Sequence, residues 1–488
     1  MSDSKQGQSV DWFTSIGTPT RESNRILPLI DGETTWRQVT HDLNSAQKYI
    51  HICMWALLSF QIETELIRKA EKTFTEPSER SGDTLFYILT SKAARGVTVR
   101  LLIWSLPGIS QHILLRALGS LPKDNFEVLE EPHPKLGFSY HQKTITIDGK
   151  IAFVGGMNLR EHDWDTSVHA VYDYRRTPHD TSAKKRMWMR DTKRVPTFPP
   201  RHDLMVRIEG PLLSDVEENF VQRWNATKQT GRVWSKNATL LSGISSPARV
   251  GDQKGQVVRT MPTARETPTG EFGILDSYRR AIRNARSYIY IENQYFRSES
   301  IAEELGSACE KNPKLLLIAV TKPDYLTEIE ADEWWKVATA TAYWTHKAFQ
   351  IIKKVRPDFC LFYLQVFERD SRSKPLYVPV DLHAKVMIID DEWWTVGSAN
   401  INERSFLFDG EMNVMVHHSE SAKDLRLRLW KEHLGVPCPE NITEAAKLWY
   451  GHARENYNCW KSGKEPKSRV FPFAQMGPLL PNLPSALA

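Results

Sequence analysis

The segment Asp381 to Glu411, DLHAKVMIIDDEWWTVGSANINERSFLFDGE, decides how the chain folds, because it sets an imidazole and an ammonium two residues apart at the head of an apolar run. Between His383 and Ile389 only His383 and Lys385 are polar, so the run reads as a strand buried on both faces of a sheet. A strand has a period of two, and the two side chains therefore point the same way. A cation in apolar surroundings is costly unless it meets an anion. Behind the strand, the small-residue turn Gly397-Ser398-Ala399-Asn400 leaves room for an anion that arrives from outside, such as a phosphate.

The same pattern occurs a second time. His141 to Arg160 reads HQKTITIDGKIAFVGGMNLR and His383 to Asn402 reads HAKVMIIDDEWWTVGSANIN. One offset of 242 residues carries His141 to His383, Lys143 to Lys385, Asp148 to Asp390, Gly155 to Gly397 and Asn158 to Asn400. Upstream, KYIHICMWAL (Lys48 to Leu57) parallels SYIYIENQYF (Ser287 to Phe296), and GVTVRLLIW (Gly96 to Trp104) parallels PKLLLIAVT (Pro313 to Thr321). This is an internal duplication of one α/β unit, with a period far too long for a solenoid.

Two HxKxxxxD strands, each followed by GG or GS and then an Asn, resemble the phospholipase D superfamily. The segments LIDGETTW, IYIENQYF, RHDLMVRIEGP, NFVQRW and GSANINERS resemble its phosphatidylcholine-cleaving branch. The resemblance implies an α/β fold of two similar mixed, largely parallel sheets flanked by helices and related by a pseudo-two-fold axis. It also implies one cleft between the halves, inside a single monomer, since each half brings only one imidazole and one ammonium.

The pattern of strand, helix and strand predicts right-handed crossovers in each half. We expect a flexible tail over 1–28, a first half over 29–237 and a Ser-, Gly- and Pro-rich linker over 238–271. A second half over 272–436 and a C-terminal helix with an irregular tail over 437–488 complete the chain. Further helices are expected at Ile62 to Lys72 and His112 to Leu121.

A chain of 488 residues with 41% hydrophobic and 25% charged residues has ordinary globular composition. No run reaches the roughly 18 apolar residues of a spanning helix, which makes the multi-span synthases of the same superfamily a poor match. The N-terminus lacks a Sec-type signal, and the five cysteines form no close-spaced framework. The expected setting is cytoplasmic and peripheral at membranes, with signal-independent export left open. The net charge of +5 is uneven, because residues 175–201 hold nine Lys or Arg against two Asp. This basic insert, with Trp188 between two methionines, suits an anionic surface or simply a solvated loop. No lipid-targeting module is expected before Leu29, and membrane contact is expected from loops, the insert and Trp334-Trp335 among them.

A phosphodiester repels nucleophiles, so its cleavage needs cations on the non-bridging oxygens, a nucleophile and an acid for the leaving group. Two His and two Lys supply all of these, and neither a metal nor a cofactor is called for. The resemblance implies that His141 attacks phosphorus to give a phosphohistidine. His383 then protonates the leaving alcohol and activates water. Lys143 and Lys385 neutralise the phosphoryl oxygens, with phosphate-binding help from Asn158, Asn400 and Ser398. The motif also counts Asp148 and Asp390 in the catalytic set, although Asp148-Gly149 is a turn signal and both carboxylates read better as turn caps. An attacking histidine needs a carboxylate to fix its tautomer. Asp203 and Glu411 each open an alternating strand downstream of a motif, and we pair Asp203 with His141 and Glu411 with His383. Trp55 and Gln294 end equivalent strands and are candidates to line the pocket.

The expected activity is hydrolysis of a glycerophospholipid, phosphatidylcholine or phosphatidylethanolamine, to phosphatidic acid and headgroup, with transfer to small alcohols. The expected partners are a phospholipid surface and those alcohols, not nucleic acid, and the expected state is a monomer. Two rivals stand beside it. One is a nuclease or other phosphodiesterase of the same superfamily, and the other is a catalytically silent membrane-binding protein.

Overall fold

The computed structural model describes residues 11–55, 74–80, 82, 84–105, 124–230, 232–233, 240–242, 247–264, 267–323 and 335–473. The helices expected at Ile62 to Lys72 and His112 to Leu121, Trp334, and the end of the C-terminal tail lie outside the described residues.

Each half is a seven-strand run with the same order. In the first half the strands lie as Phe126–Pro132, Thr98–Ser105, Tyr49–Met54, Thr144–Ile147, Ile151–Gly155, Leu204–Glu209 and Arg21–Ile30. In the second the order is Leu361–Arg369, Leu316–Thr321, Tyr288–Asn293, Lys385–Ile389, Trp393–Gly397, Glu411–His417 and Gln253–Met261. The first three strands of each run are parallel, as crossovers through helices demand, and the rest pair antiparallel, with one tight hairpin in each half, Thr144–Ile147 with Ile151–Gly155 and Lys385–Ile389 with Trp393–Gly397. The sheets are thus mixed, with the parallel part confined to one end.

The two sheets are not separate. Arg21–Ile30 pairs with the first half along Arg25 to Ile30 and touches Gln253–Met261 of the second at Arg21 and Asn24. Two expectations are corrected here. The segment taken as a flexible tail holds an edge strand and two buried aromatics, Trp12 and Phe13, with Trp12 stacked on Trp393 at 6.3 Å. The segment taken as a linker holds the nine-residue strand Gln253–Met261, the second-half counterpart of Arg21–Ile30. Polar composition hid both: Arg21–Ile30 alternates exposed and buried positions, and Gln253–Met261 buries Gln253, Gln256, Arg259 and Thr260 among its apolar residues.

The inner faces of the sheets pack on each other and the helices cover the outer faces, giving four layers. The strand Lys385–Ile389 shows why its apolar run is continuous: Val386 and Ile388 enter the central core, while Met387 and Ile389 face the helices Gly273–Asn284 and Glu299–Lys311. Thr144–Ile147 is likewise buried throughout. Each motif strand ends in a tight turn whose central residues take positive φ, Asp148 and Gly149 in one half, Asp390 and Asp391 in the other.

The basic insert is more than a loop. Ser182 caps the helix Ala183–Asp191 by accepting from the Lys185 N–H, and Arg176 and Arg186 are fully buried. Arg176 donates to the backbone carbonyl of Val171 at 3.1 Å, and Arg186 to that of Pro178 at 3.0 Å. Lys184, Lys185, Met187, Trp188 and Arg190 remain exposed on the helix. Among the described residues no helix is long and apolar enough to cross a membrane, and no disulfide joins the five cysteines.

Candidate active site

Both motif histidines stand just ahead of their strands, at the seam between the halves. The His141 N–H donates to the Gly410 carbonyl at 2.6 Å, and the His383 N–H donates to the His202 carbonyl at 2.8 Å. In each case the next residue of the opposite half is the acidic one, Glu411 after Gly410 and Asp203 after His202. These short parallel contacts, Tyr140 with Gly410 and Asp381-Leu382 with Arg201-His202, carry each imidazole to a carboxylate across the seam.

The pairing is therefore crossed, which corrects our assignment of each acid to the histidine of its own half. His141 Nδ1 lies 3.0 and 3.1 Å from the Glu411 carboxylate oxygens, and His383 Nδ1 lies 2.7 Å from Asp203 Oδ2. Equivalent positions along two repeats suggest pairing within a repeat. The shared seam is invisible to a repeat comparison, and it brings opposite repeats together.

Glu411 is fixed by two more donors. Ser405 Oγ donates to Oε1 at 2.7 Å and Ser398 Oγ donates to Oε2. This corrects the role given to Ser398: its proton is committed to Glu411, and it also accepts from the Met412 N–H at 3.0 Å, so it is no phosphate donor. Ser405 carried no sequence signal beyond its place in the NERS segment. With three donors around it, Glu411 is held as an acceptor, so His141 presents its N–H to it through Nδ1 and keeps Nε2 for the cleft.

Lys143 and Lys385 are fully buried. Lys143 Nζ donates to the His141 carbonyl at 2.6 Å, and Lys385 Nζ donates to the His383 carbonyl and to Gln294 Oε1 at 3.3 Å. Burial, assisted for Lys143 by the neighbouring Lys385, lowers the Lys143 ammonium to about 7. Burial, assisted by Arg201, lowers Lys385 to about 8. Burial also holds both imidazoles below their ordinary value, His383 well below, and raises Asp203 to about 7. Lys385 lies within electrostatic reach of His141, and Lys143 of His383, so four groups from two halves share one site.

Around them, Trp55 sets its ring edge against His141, with centroids 5.5 Å apart, and stacks on Trp104 at 5.8 Å. Trp55 thus touches the His141 ring while packing on the Trp104–Tyr140 cluster, and Gln294 touches the Lys385 ammonium. Asn158 and Asn400 are buried, and the Oδ1 atom of each has no hydrogen-bond partner. The glycines of the motifs make the close approaches possible. A Cβ at Gly156 would collide with the Asp203 carboxylate and one at Gly397 with the Asn413 amide.

Asp148 and Asp390 lie elsewhere. The Asp148 carboxylate accepts from the backbone N–H groups of Gln47, Lys48 and Tyr49, each at 2.8 Å. Asp390 accepts from Arg286 at 2.7 Å and from Ser287 and Tyr288 at 2.8 Å. Each stands at the far end of its strand, roughly 15 Å of extended chain from the motif lysine. Their catalytic assignment is corrected to a structural one: they cap the entry of the strands Tyr49–Met54 and Tyr288–Asn293.

A family model described as Cardiolipin synthase, PLD-like domain, matches residues 39–172 and 278–431, more than half of the chain, and one described as Phospholipase D matches 122–345. The chain belongs to the phospholipase D superfamily. Phospholipase D alpha 4 of Arabidopsis thaliana is 28% identical over 82% of this chain and 63% of its own length. Phospholipase D A of Dictyostelium discoideum is 26% identical over 86% of this chain and 36% of its own. The chain thus spans less than two thirds of either relative. Among solved structures, phosphatidylserine synthase of Haemophilus influenzae Rd KW20 matches with a TM-score of 0.52 at 13% identity, over 84% of this chain and 85% of that one, which supports the shared fold alone. The enzyme class that goes with this superfamily and these relatives is a phosphodiesterase of the phospholipase D type.

Proposed function

We propose that the protein is a phospholipase D that hydrolyses a glycerophospholipid, phosphatidylcholine or phosphatidylethanolamine, to phosphatidic acid and free headgroup. The observation that carries the reading is the pair of imidazoles, each held through Nδ1 by a carboxylate of the other half and set beside a buried ammonium. Buried cations without a full set of internal anions suit an anionic substrate.

In this reading His141 Nε2 attacks phosphorus and the bond to the headgroup oxygen breaks. The acidic proton held by the His383–Asp203 pair, whose carboxyl burial raises to about 7, passes through His383 to that oxygen. A phosphatidyl-histidine remains, and His383 then takes a proton from water as the water oxygen displaces His141, giving phosphatidic acid. The order of roles is supported by Glu411, whose three donors keep it an acceptor for His141 and leave the ring's lone pair for attack. Lys143 and Lys385 hold the non-bridging oxygens, and the side-chain N–H groups of the Asn158 and Asn400 amides are assigned to donate to the same oxygens. A small alcohol in place of water gives transphosphatidylation.

Membrane contact is assigned to the helix Ala183–Asp191, where exposed Trp188 stands among Lys184, Lys185 and Arg190. The site is complete within one chain, so a monomer suffices. Headgroup release from phosphatidylcholine liposomes, run beside nicking of plasmid DNA, tests the substrate class. Release without nicking is expected, and nicking without release would transfer the reading to a nuclease. Loss of both activities in wild-type protein would favour a silent binding protein.

A further inference from the structure

Behind the Asp203–His383 pair lies a second cluster that the chemistry above does not use. Asp31 opens the helix Asp31–Ser45, His169 sits on the loop after the first motif, His202 precedes Asp203, and Glu432 comes from the helix Ser419–Leu434 of the other half. One ligand atom from each of these four residues lies within 4.8 Å of all the others, and the side chains are between 0% and 8% exposed.

We propose that Asp31, His169, His202 and Glu432 form a tetrahedral site for a divalent d-block cation of the zinc class, which ties the two halves together behind the catalytic seam. The spacing fits. Glu432 Oε1 lies 3.0 Å from His202 Nδ1 and 3.2 Å from His169 Nε2, and the Asp31 carboxylate meets His169 Nε2 at 3.8 Å through Oδ2 and His202 Nδ1 at 2.8 Å through its other oxygen, Oδ1. Ligands about 2.0–2.1 Å from a tetrahedral zinc stand about 3.3 Å apart, in the middle of that range.

The surroundings match a metal site as well. The outer nitrogen of each imidazole is held by a further carboxylate, His169 Nδ1 by Asp165 Oδ2 and His202 Nε2 by Glu292 Oε2, both at 2.9 Å. Such outer carboxylates fix the tautomer of metal-bound histidines and leave the inner lone pair to the ion. Asp31 Oδ2 is buried, faces the cluster and has no hydrogen-bond partner. A dication also balances the Asp31 and Glu432 carboxylates, since Asp165 has Arg176 at 3.4 Å and Glu292 has His433 at 2.7 Å.

Three ligands come from the first half and one from the second, so the ion is a cross-link. It also braces the site, because the Asp31 N–H donates to the Asp203 carbonyl at 2.9 Å and His202 adjoins Asp203. The phosphodiester reading does not depend on this ion, and the two fail separately.

The test uses the full chain without a polyhistidine tag, grown with zinc and dialysed against metal-free buffer. Mass-spectrometric metal analysis should give one zinc per chain. Stripped protein should bind one cobalt(II) with the intense visible bands of a tetrahedral centre and no thiolate charge transfer. Its thermal midpoint should rise with free zinc. Glu432→Gln and His169→Ala should each lose the ion. Should those variants fail to fold, the wild-type titration decides alone. A wild-type chain that holds no zinc, binds no cobalt and melts alike with and without metal overturns the proposal, as does zinc retained in both variants.

Discussion

Glu411 is the residue whose removal separates orientation from charge. Glu411→Gln keeps the shape but swaps an acceptor for a group that can donate to His141 Nδ1, which favours the wrong tautomer for attack by Nε2. By analogy with the aspartate of a serine-protease triad, kcat should fall by roughly 10⁴ with KM little changed. Steady-state kinetics on liposomes reads this, and a loss confined to KM would contradict it. The ammonium pair sets a pH limit. A lysine acts on phosphate only when protonated, and burial leaves Lys143 at about 7 and Lys385 at about 8. The charge is present below these values and lost above them. We therefore expect kcat/KM of the free enzyme to decline as pH rises from 7 through 8, whereas an ordinary lysine would carry activity to about 10. The linkage to stability has the opposite sign. Between the folded value and the ordinary one the unfolded chain binds the extra proton, so both lysines make stability rise with pH in that window.

At the scale of elements, the duplicated aspartates are joints between a chain entry and a hairpin. Asp148→Ala leaves three backbone N–H groups without their acceptor. The cost should be about 1–3 kcal/mol of folding stability with kcat nearly unchanged, measured by denaturant melts and liposome assays on the same protein. A large fall in kcat without destabilisation would return Asp148 to the catalytic set. Gly156→Ala should do the reverse and remove most activity, because its Cβ meets the Asp203 carboxylate. Much of this was legible in the sequence. A period of two placed His383 and Lys385 together, and one offset between repeats found every motif residue. What escaped was set by contacts far apart in the chain. The strand Arg21–Ile30 alternates exposed with buried residues, Gln253–Met261 buries polar residues among its apolar ones, and so the two resemble tail and linker. Ser405 reaches Glu411 through a five-residue helix capped by Asn402, a placement no pattern announces.

For the whole molecule, the crossed pairs mean that neither half contains a working imidazole and carboxylate. The inner faces of both sheets also form one core, in which Ala152, Val154, Val206 and Ile208 of one half share a cluster with Val386, Ile388, Trp394 and Val414 of the other. Duplication thus produced two incomplete sites that close only on each other. The sequence implied a single cleft between halves, but not which acid would serve which histidine, since repeat equivalence is blind to the seam. The most direct measurement is mass-spectrometric mapping of enzyme quenched in alkali during turnover of phosphatidylcholine. The expected result is one phosphatidyl adduct on His141 that is strongly reduced in Glu411→Gln. An adduct on His383, or rapid turnover with no adduct on either histidine, would contradict it.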